Sequence, residues 1–324
     1  MSSRFDIYGI GHALVDIEAE VDDALLAELG VAKGTMALVS EEEQTRILER
    51  VGSAARHRTP GGSAANTVLA VTQFGGNTFF SARVGDNEPG RFFAGLMGAQ
   101  GVENRITDHL ADGMTGHCVV LVTPDAERTM CTHLGVSAGF SAADLEEERL
   151  AQSEYLYIEG YLVSSPSALE AALAAQAMAK KHGVKVALTA SDVSMIDFFR
   201  DGMDALLGNG VDLLFCNEAE ALHLAGSESL TDAEAWLRGN VGAYGLTLGA
   251  QGAKVRGADG EEVVVPGVPA ARVVDTNGAG DLFAGAYLYG ITSGNLDLKG
   301  AGTLACHASS VLVGQFGARL KPGQ

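Results

Sequence analysis

From Tyr155 onward, continuous apolar runs of strand length alternate with stretches of helical spacing. A run such as Val184–Thr189, apolar throughout rather than at every second residue, suits a strand covered on both faces, which is the condition of a parallel sheet. Parallel neighbours need crossover connections, and those connections lay helices over the sheet. Tyr155–Tyr161, Val184–Thr189, Val211–Cys216 and Tyr244–Leu248 read as strands. Pro166–His182, Met195–Leu207, Asn217–Leu224 and a segment around Ala233–Arg238 read as helices, the first capped by Ser165, started by Pro166 and ended by Gly183. A hairpin over Ala253–Val265 turning at Asp259-Gly260, a strand Ala271–Val274, and helices over about Ala279–Tyr289 and Leu298–Val313 complete this part.

The upstream part is patterned differently. Phe5–Ile10 reads as an apolar strand, and Ala13–Val21 and Thr35–Val39 as strand-like pieces joined by the acidic, leucine-bearing helical segment Asp22–Leu29. Asn66–Phe74 reads as a helix, and Thr115–Leu134 alternates in two halves around Pro124 to Glu127, as a hairpin does. The expected architecture is an open α/β sheet with both faces covered, the early strands forming an appended small sheet. With no internal repeat and no low-complexity linker, residues 1–324 are expected to form a single domain.

A chain of 324 residues buries enough surface to need neither disulfides nor a structural metal. Hydrophobic residues at 47% and charged residues at 19% are globular usage, not that of a disordered chain. The 41 acidic residues against 22 basic ones give a formal charge of −19, a field that repels nucleic acid and anionic membranes, so neither is an expected partner. No apolar run approaches the roughly 18 residues of a membrane span, and the opening residues lack a secretory pattern, so a cytoplasmic location is expected. Cys118, Cys131, Cys216 and Cys306 form no CxxC pair and read as reduced, buried thiols, with Cys118 facing Cys131 across the hairpin as a lesser alternative.

Three segments are able to carry chemistry. DTNGAGD, Asp275 to Asp281, lies between an apolar run and an apolar helix. Amides at such a helix start attract an anion and glycines let phosphate approach, whereas the plainer reading is a glycine turn with Asp281 stabilising the helix. An acid beside a phosphate site needs a task, and accepting a proton from a substrate hydroxyl is one. PGGSAANT, Pro60 to Thr67, offers Gly61 and Gly62 for close approach and Ser63 and Asn66 for sugar hydroxyls, with helix capping an equal alternative. NEAE, Asn217 to Glu220, follows a strand at the end where open α/β sheets bind ligands. There Asn217 and Glu220 either cap the helix or hold the hydration shell of Mg²⁺.

Other features weigh less. Gly9-Ile10-Gly11 lacks the third glycine of a dinucleotide fingerprint, and no P-loop sequence exists. Asp16 alone reads as a solvated strand residue and Arg128 as an exposed turn charge that is also able to close over phosphate. His12 and His307 read as satisfied polar residues.

PGGSAANT, NEAE and DTNGAGDLFAGAYLYG, in this order and spacing, resemble the signature regions and the NxxE motif of the ribokinase-like (PfkB-type) carbohydrate and nucleoside kinases. The resemblance covers essentially the whole chain, and GIGHALVDIEAEVDD with GTMALVS looks most like the adenosine kinase branch. It implies a ribokinase-like three-layer α/β/α sandwich with a mostly parallel central sheet and a small β-sheet lid, from segments of about 13–40 and 114–135. It implies ATP as donor, Mg²⁺ as cofactor, K⁺ as a further ion at the backbone of Asp275 to Asn277, and a small nucleoside or sugar acceptor. By position, Asp281 matches the catalytic base, and Gly278, Ala279 and Gly280 match the anion hole. Asn217 and Glu220 match the Mg²⁺-positioning motif. Asp16, Gly62 and Asn66 match contacts to the sugar hydroxyls, beside Ser63, and Arg128 matches a lid arginine near the phosphates. Met36, Leu38, Thr132, Leu134 and Tyr161 would surround the purine. His12 stands where the family commonly has Asn. Lids in this family pair between subunits or stand alone, so monomer and homodimer both remain open.

The leading expectation is therefore an ATP-dependent phosphotransferase acting on the 5′ hydroxyl of a nucleoside, adenosine first. Sugar kinases of the ribose or fructose type and inosine or guanosine kinases are the alternatives within the family. A nucleotide sensor that binds ATP without turnover is the alternative from another class, and Asp281 argues against it.

Overall fold

Side-chain alternation along one apolar strand sets the layers of the molecule. In a computed structural model, which describes residues 5–52, 55–125, 127–321 and 323–324, β1 (Phe5–Ile10) is buried along its whole length. Ile7 enters one hydrophobic core while Tyr8 and Ile10 enter a second on the opposite face, as the period of two demands. The strands that follow are β2 (Leu14–Glu20), β3 (Met36–Leu38), β4 (Ala55–Gly61), β5 (Thr78–Ser81), β6 (Glu103–Asn104), β7 (Thr115–Val122) and β8 (Arg128–Gly135). The second half adds β9 (Ser153–Glu159), β10 (Lys185–Thr189), β11 (Leu213–Asn217), β12 (Ala243–Thr247), β13 (Gly252–Arg256) and β14 (Glu262–Pro266).

Among the described residues these strands form a large sheet in the order β14-β13-β12-β11-β10-β9-β1-β5-β6 and a small one in the order β3-β8-β7-β2-β4. From β12 to β6 the large sheet is parallel; β13 runs against it, and β14 pairs antiparallel with β13 at the edge. One face is covered by helices Ser63–Gln73, Glu88–Ala99, Ala279–Ile291 and Leu298–Leu312. The other is covered by helices including Pro166–His182, Arg200–Gly208 and Leu230–Asn240. This is the three-layer α/β/α arrangement with a small second sheet that the sequence predicts. The chain enters the small sheet through Gly11–Ala13, leaves through Gly62, returns before Thr115 and leaves again through Gly135–Val136. Among the described residues no helix is long and apolar enough to cross a membrane.

Several expectations change in detail. Met195–Leu207 is not one helix, because Phe199, at φ −125° and ψ 37°, breaks it into Val193–Phe198 and Arg200–Gly208. Ala271–Val274 forms no strand, its Val274 amide bonding instead to the Val313 carbonyl at 2.7 Å. Ser165 occupies the N-cap position but turns its hydroxyl to the Ala138 carbonyl. Cys118 pairs across the hairpin with Thr132 and Cys131 with Val119, so the two thiols do not face each other. Ala126, within the expected turn, lies outside the described residues. The small sheet takes strands from both expected segments and also β4, and helices Glu41–Val51 and Glu88–Ala99 are further additions.

Candidate functional site

A cavity of about 410 Å³ opens at the carboxyl ends of the parallel strands, beneath the small sheet. His12 after β1, Glu159 closing β9, Ser191 and Asp192 after β10, and Asn217 closing β11 form its floor. That is where a parallel sheet exposes loops and helix starts to a ligand. The small sheet supplies the roof by alternation: Leu14 and Asp16 from β2, Cys118 and Val120 from β7, and Arg128, Met130, Thr132 and Leu134 from β8. Met36 and Leu38 of β3 and Tyr161 after β9 close the apolar side.

Asp281 lies in the first turn of helix Ala279–Ile291, whose N-cap is Gly278. Its Oδ1 accepts from Ser63 Oγ at 2.6 Å and its Oδ2 from Asn66 Nδ2 at 3.0 Å. Ser63 and Asn66 are thus not helix caps; helix Ser63–Gln73 has no side-chain cap bond. Burial raises the proton affinity of Asp281, against the two hydrogen bonds and the charge of Arg319. Gly278 sits at φ 72°, and a Cβ there would lie 2.5 Å from that of Ala318. Gly62, at φ 98°, would place a Cβ 2.2 Å from the His12 carbonyl oxygen. Both positions therefore require glycine. Gly278 and Gly280 line the cavity, whereas the Ala279 amide is already given to the Thr276 carbonyl at 3.2 Å.

Asn217 and Glu220 form a reciprocal capping box: Asn217 Oδ1 accepts the Glu220 amide at 2.9 Å and Glu220 Oε2 accepts the Asn217 amide at 2.9 Å. Both also line the cavity, and burial pushes Glu220 up to about 7. Among the described residues no cluster of three His, Cys, Asp or Glu is disposed to hold a metal directly. Oxygens of this pair suit an ion that keeps its own waters, as Mg²⁺ does.

Arg128 is not an exposed turn charge. As the first residue of β8, with a side chain 10% exposed, it bonds Asp275 and, at 3.2 Å, Glu18. Its Nη1 is buried with no partner among the described residues, a donor left over beside the cavity. The Asp275 carboxylate also accepts the amides of Gly317 at 2.8 Å and Asn277 at 2.9 Å. That carboxylate is committed to these donors, one of them cationic, which leaves the backbone of Asp275 to Asn277, where a monovalent ion is expected, as the part able to meet one. Asn277 lines the cavity and Asp275 does not.

Asp16 lies in the roof, where burial pushes it up to about 7, the charges of Glu18 and Asp281 adding to that and those of Arg319 and Arg128 opposing it. It is no solvated strand residue. Two further groups carry no local motif. Glu159, 1% exposed, accepts the amides of His12 at 2.6 Å and Ala64 at 2.8 Å, and burial pushes it up to about 8. Its place as an acid ending an apolar strand was the readable signal. His12 is only half satisfied: Nδ1 lies 3.2 Å from Ser137 Oγ, Nε2 has no partner among the described residues, and burial pushes the ring down to about 4. His307 is exposed on helix Leu298–Leu312, away from the site.

The sequence model of the pfkB family carbohydrate kinase matches residues 35–322. The adenosine kinase from Sinorhizobium meliloti superposes with a TM-score of 0.91 at 35% identity, over 98% of this chain and 96% of that one. A probable sugar kinase from Rhizobium etli does so with a TM-score of 0.91 at 32% identity, over 98% and 95%. The aminoimidazole riboside kinase of Salmonella typhimurium is 30% identical over 245 residues, 74% of this chain and 75% of that protein.

Proposed function

Because the chain belongs to the pfkB family of carbohydrate kinases, and is thereby a phosphotransferase, we propose that it moves the terminal phosphoryl group of ATP to the 5′ hydroxyl of a nucleoside, adenosine first among acceptors. The observation that carries this reading is the apolar part of the cavity, where Met36, Leu38, Met130 and Leu134 meet Tyr161 beyond the polar groups of Asp16, Asn66 and Asp281. A free sugar would bury hydroxyls against that surface without hydrogen bonds in return. A base offers it a flat apolar face while its ribose meets the polar groups.

In this reading Asp281 takes the proton of the attacking hydroxyl, and the higher proton affinity that burial gives it suits a proton acceptor. Ser63 and Asn66 hold its two oxygens in place. Asp16, Gly62 and Asn66 align the sugar so that the hydroxyl meets the phosphorus in line, the larger part of the work when the transition state is loose. The start of helix Ala279–Ile291, with Gly278 and Gly280 at the cavity, favours the charge on the moving group. Arg128 stands beside the phosphates from the roof. Asn217 and Glu220 would hold the waters of Mg²⁺, which when bound supplies charge neutralisation on the phosphate oxygens. The small sheet acts as the lid that keeps water from the phosphoryl group.

The test is ADP formation from ATP and Mg²⁺ with adenosine, inosine, guanosine, ribose or fructose as acceptor. Turnover with adenosine, at a kcat/KM well above that of either sugar, is expected. Turnover confined to a free sugar would overturn the nucleoside reading and leave a sugar kinase.

A further inference from the structure

Behind the polar part of the cavity, and not among the residues lining it, lies Arg319. It belongs to the turn after helix Leu298–Leu312, which is held by Gln315 Nε2 on the Arg319 carbonyl at 3.1 Å and by Gln73 Nε2 on the Leu320 carbonyl at 3.2 Å. Its Nε donates to Asn66 Oδ1 at 3.1 Å and its Nη2 donates to the Pro60 carbonyl. An amide whose oxygen is taken by a guanidinium must turn its NH₂ the other way. Asn66 does so, and that NH₂ reaches Asp281 Oδ2.

We infer that Arg319 is a positioning residue for phosphoryl transfer: through Asn66 it fixes the direction of the Asp281 carboxylate, and it sets a positive charge beside Asp16 and Asp281 where they meet the acceptor. The inference rests on the proposed acceptor chemistry for its purpose, though not for its geometry. Charges crowd this place from every side. Asp16 faces Glu18 and Arg128 within the small sheet and Asp281 across the cavity. Asp281 acts on Glu159 at the end of β9 and on Glu220 after β11, with the neutral Tyr157 and Tyr161 nearby. Of the two arginines, Arg128 is committed to Asp275 and Glu18. Arg319 opposes proton uptake at both Asp16 and Asp281. Burial pushes it down to about 10, so it stays charged at neutral pH. A protonated Asp281 is unable to act as base, so this charge favours the form that reacts.

The experiment compares Arg319→Met, which keeps the stem and loses the charge, with Arg319→Lys, which keeps the charge and loses the fork. In Arg319→Met the acid limb of kcat/KM for the acceptor should move up by about one pH unit, costing about tenfold in rate below that limb, while KM for ATP holds. Arg319→Lys should return the limb toward wild type without restoring full kcat. In parallel, ¹³C carboxyl signals of labelled aspartate, assigned with Asp16→Asn and Asp281→Asn, should titrate at higher pH in Arg319→Met than in wild type. Unmoved midpoints and an unmoved limb would overturn the inference, as would equal losses for ATP and acceptor accompanied by a lower Tm. If Arg319→Met does not fold, Arg319→Lys decides: wild-type kcat there would overturn the positioning role, and a lowered kcat with wild-type midpoints would support it. If wild type phosphorylates only a sugar, or nothing, the nucleoside reading falls while the carboxyl titration still decides the role of Arg319.

Discussion

Replacing Asp281 by Asn tests the proposed base with little structural disturbance. The side chains have the same shape, and both hydrogen bonds can be rebuilt. The new amide oxygen accepts from Asn66 Nδ2, and the new NH₂ donates to Ser63 Oγ, which reverses its role. The change also removes a buried charge whose burial disfavours ionisation, so stability should hold or rise. What disappears is the proton acceptor. A positioned base contributes about 10²–10⁴ in rate, or about 3–5 kcal/mol in the barrier, so kcat should fall by that factor while the Kd for ATP is unchanged. Coupled ADP release, calorimetric titration with ATP and a thermal melt read the three quantities. A kcat within about threefold of wild type would refute the base assignment. A loss of activity that comes with a Tm several degrees lower would instead mean that Asp281 holds the fold.

Two more outcomes follow from the geometry. Gly278→Ala forces a left-handed residue to carry a Cβ against the backbone of Ala318, so a loss of about 2–4 kcal/mol is expected in urea unfolding, together with weaker ATP binding; wild-type values would show that the turn yields freely. Glu159, Asp16 and Glu220 are pushed up to about 8, 7 and 7, so the folded chain holds protons that the unfolded chain has released. That contribution is complete below about pH 4 and is lost as pH rises through 7 and 8, so the Tm of the ligand-free protein should decline over that range, with Glu159→Gln flattening the decline. A Tm that rises toward pH 8 would contradict the burial of these acids.

Much of the fold was legible because its signals are local. Pro166 and Gly183 bracket their helix, and β9, β10 and β11 announce themselves as unbroken apolar runs. The break at Phe199 was not legible, since helical spacing continues across it. Helix Glu41–Val51 carries a readable capping box, Ser40 with Glu43, yet its charged surface hides the narrow stripe of Gln44, Ile47 and Val51 that packs. At the site, DTNGAGD and PGGSAANT stood out because glycines concentrate where backbone meets ligand. Arg319 did not, because its partners lie at Asn66 and Pro60, more than two hundred and fifty residues earlier, and no short pattern surrounds it. Whether Asn217 caps a helix or serves an ion was posed as a choice. The capping geometry is formed, and it turns the same residues toward the cavity.

The passages between the two sheets have a consequence for anyone wishing to redesign this protein. Glu159 ties the first passage, at His12, to the helix that follows the second, at Ala64, and Ser137, just past the last passage, receives the Ala13 amide at 3.1 Å. Any rocking of the small sheet must pivot on these strands of backbone, and they run directly beside Asp16, Gly62 and Asn66. A substitution there alters affinity and motion together, so the two traits are not separately selectable at that end. Freedom to diversify lies on the opposite wall, at Met36, Leu38 and Met130, which touch the cavity away from the passages. Libraries aimed at a new acceptor belong on those positions.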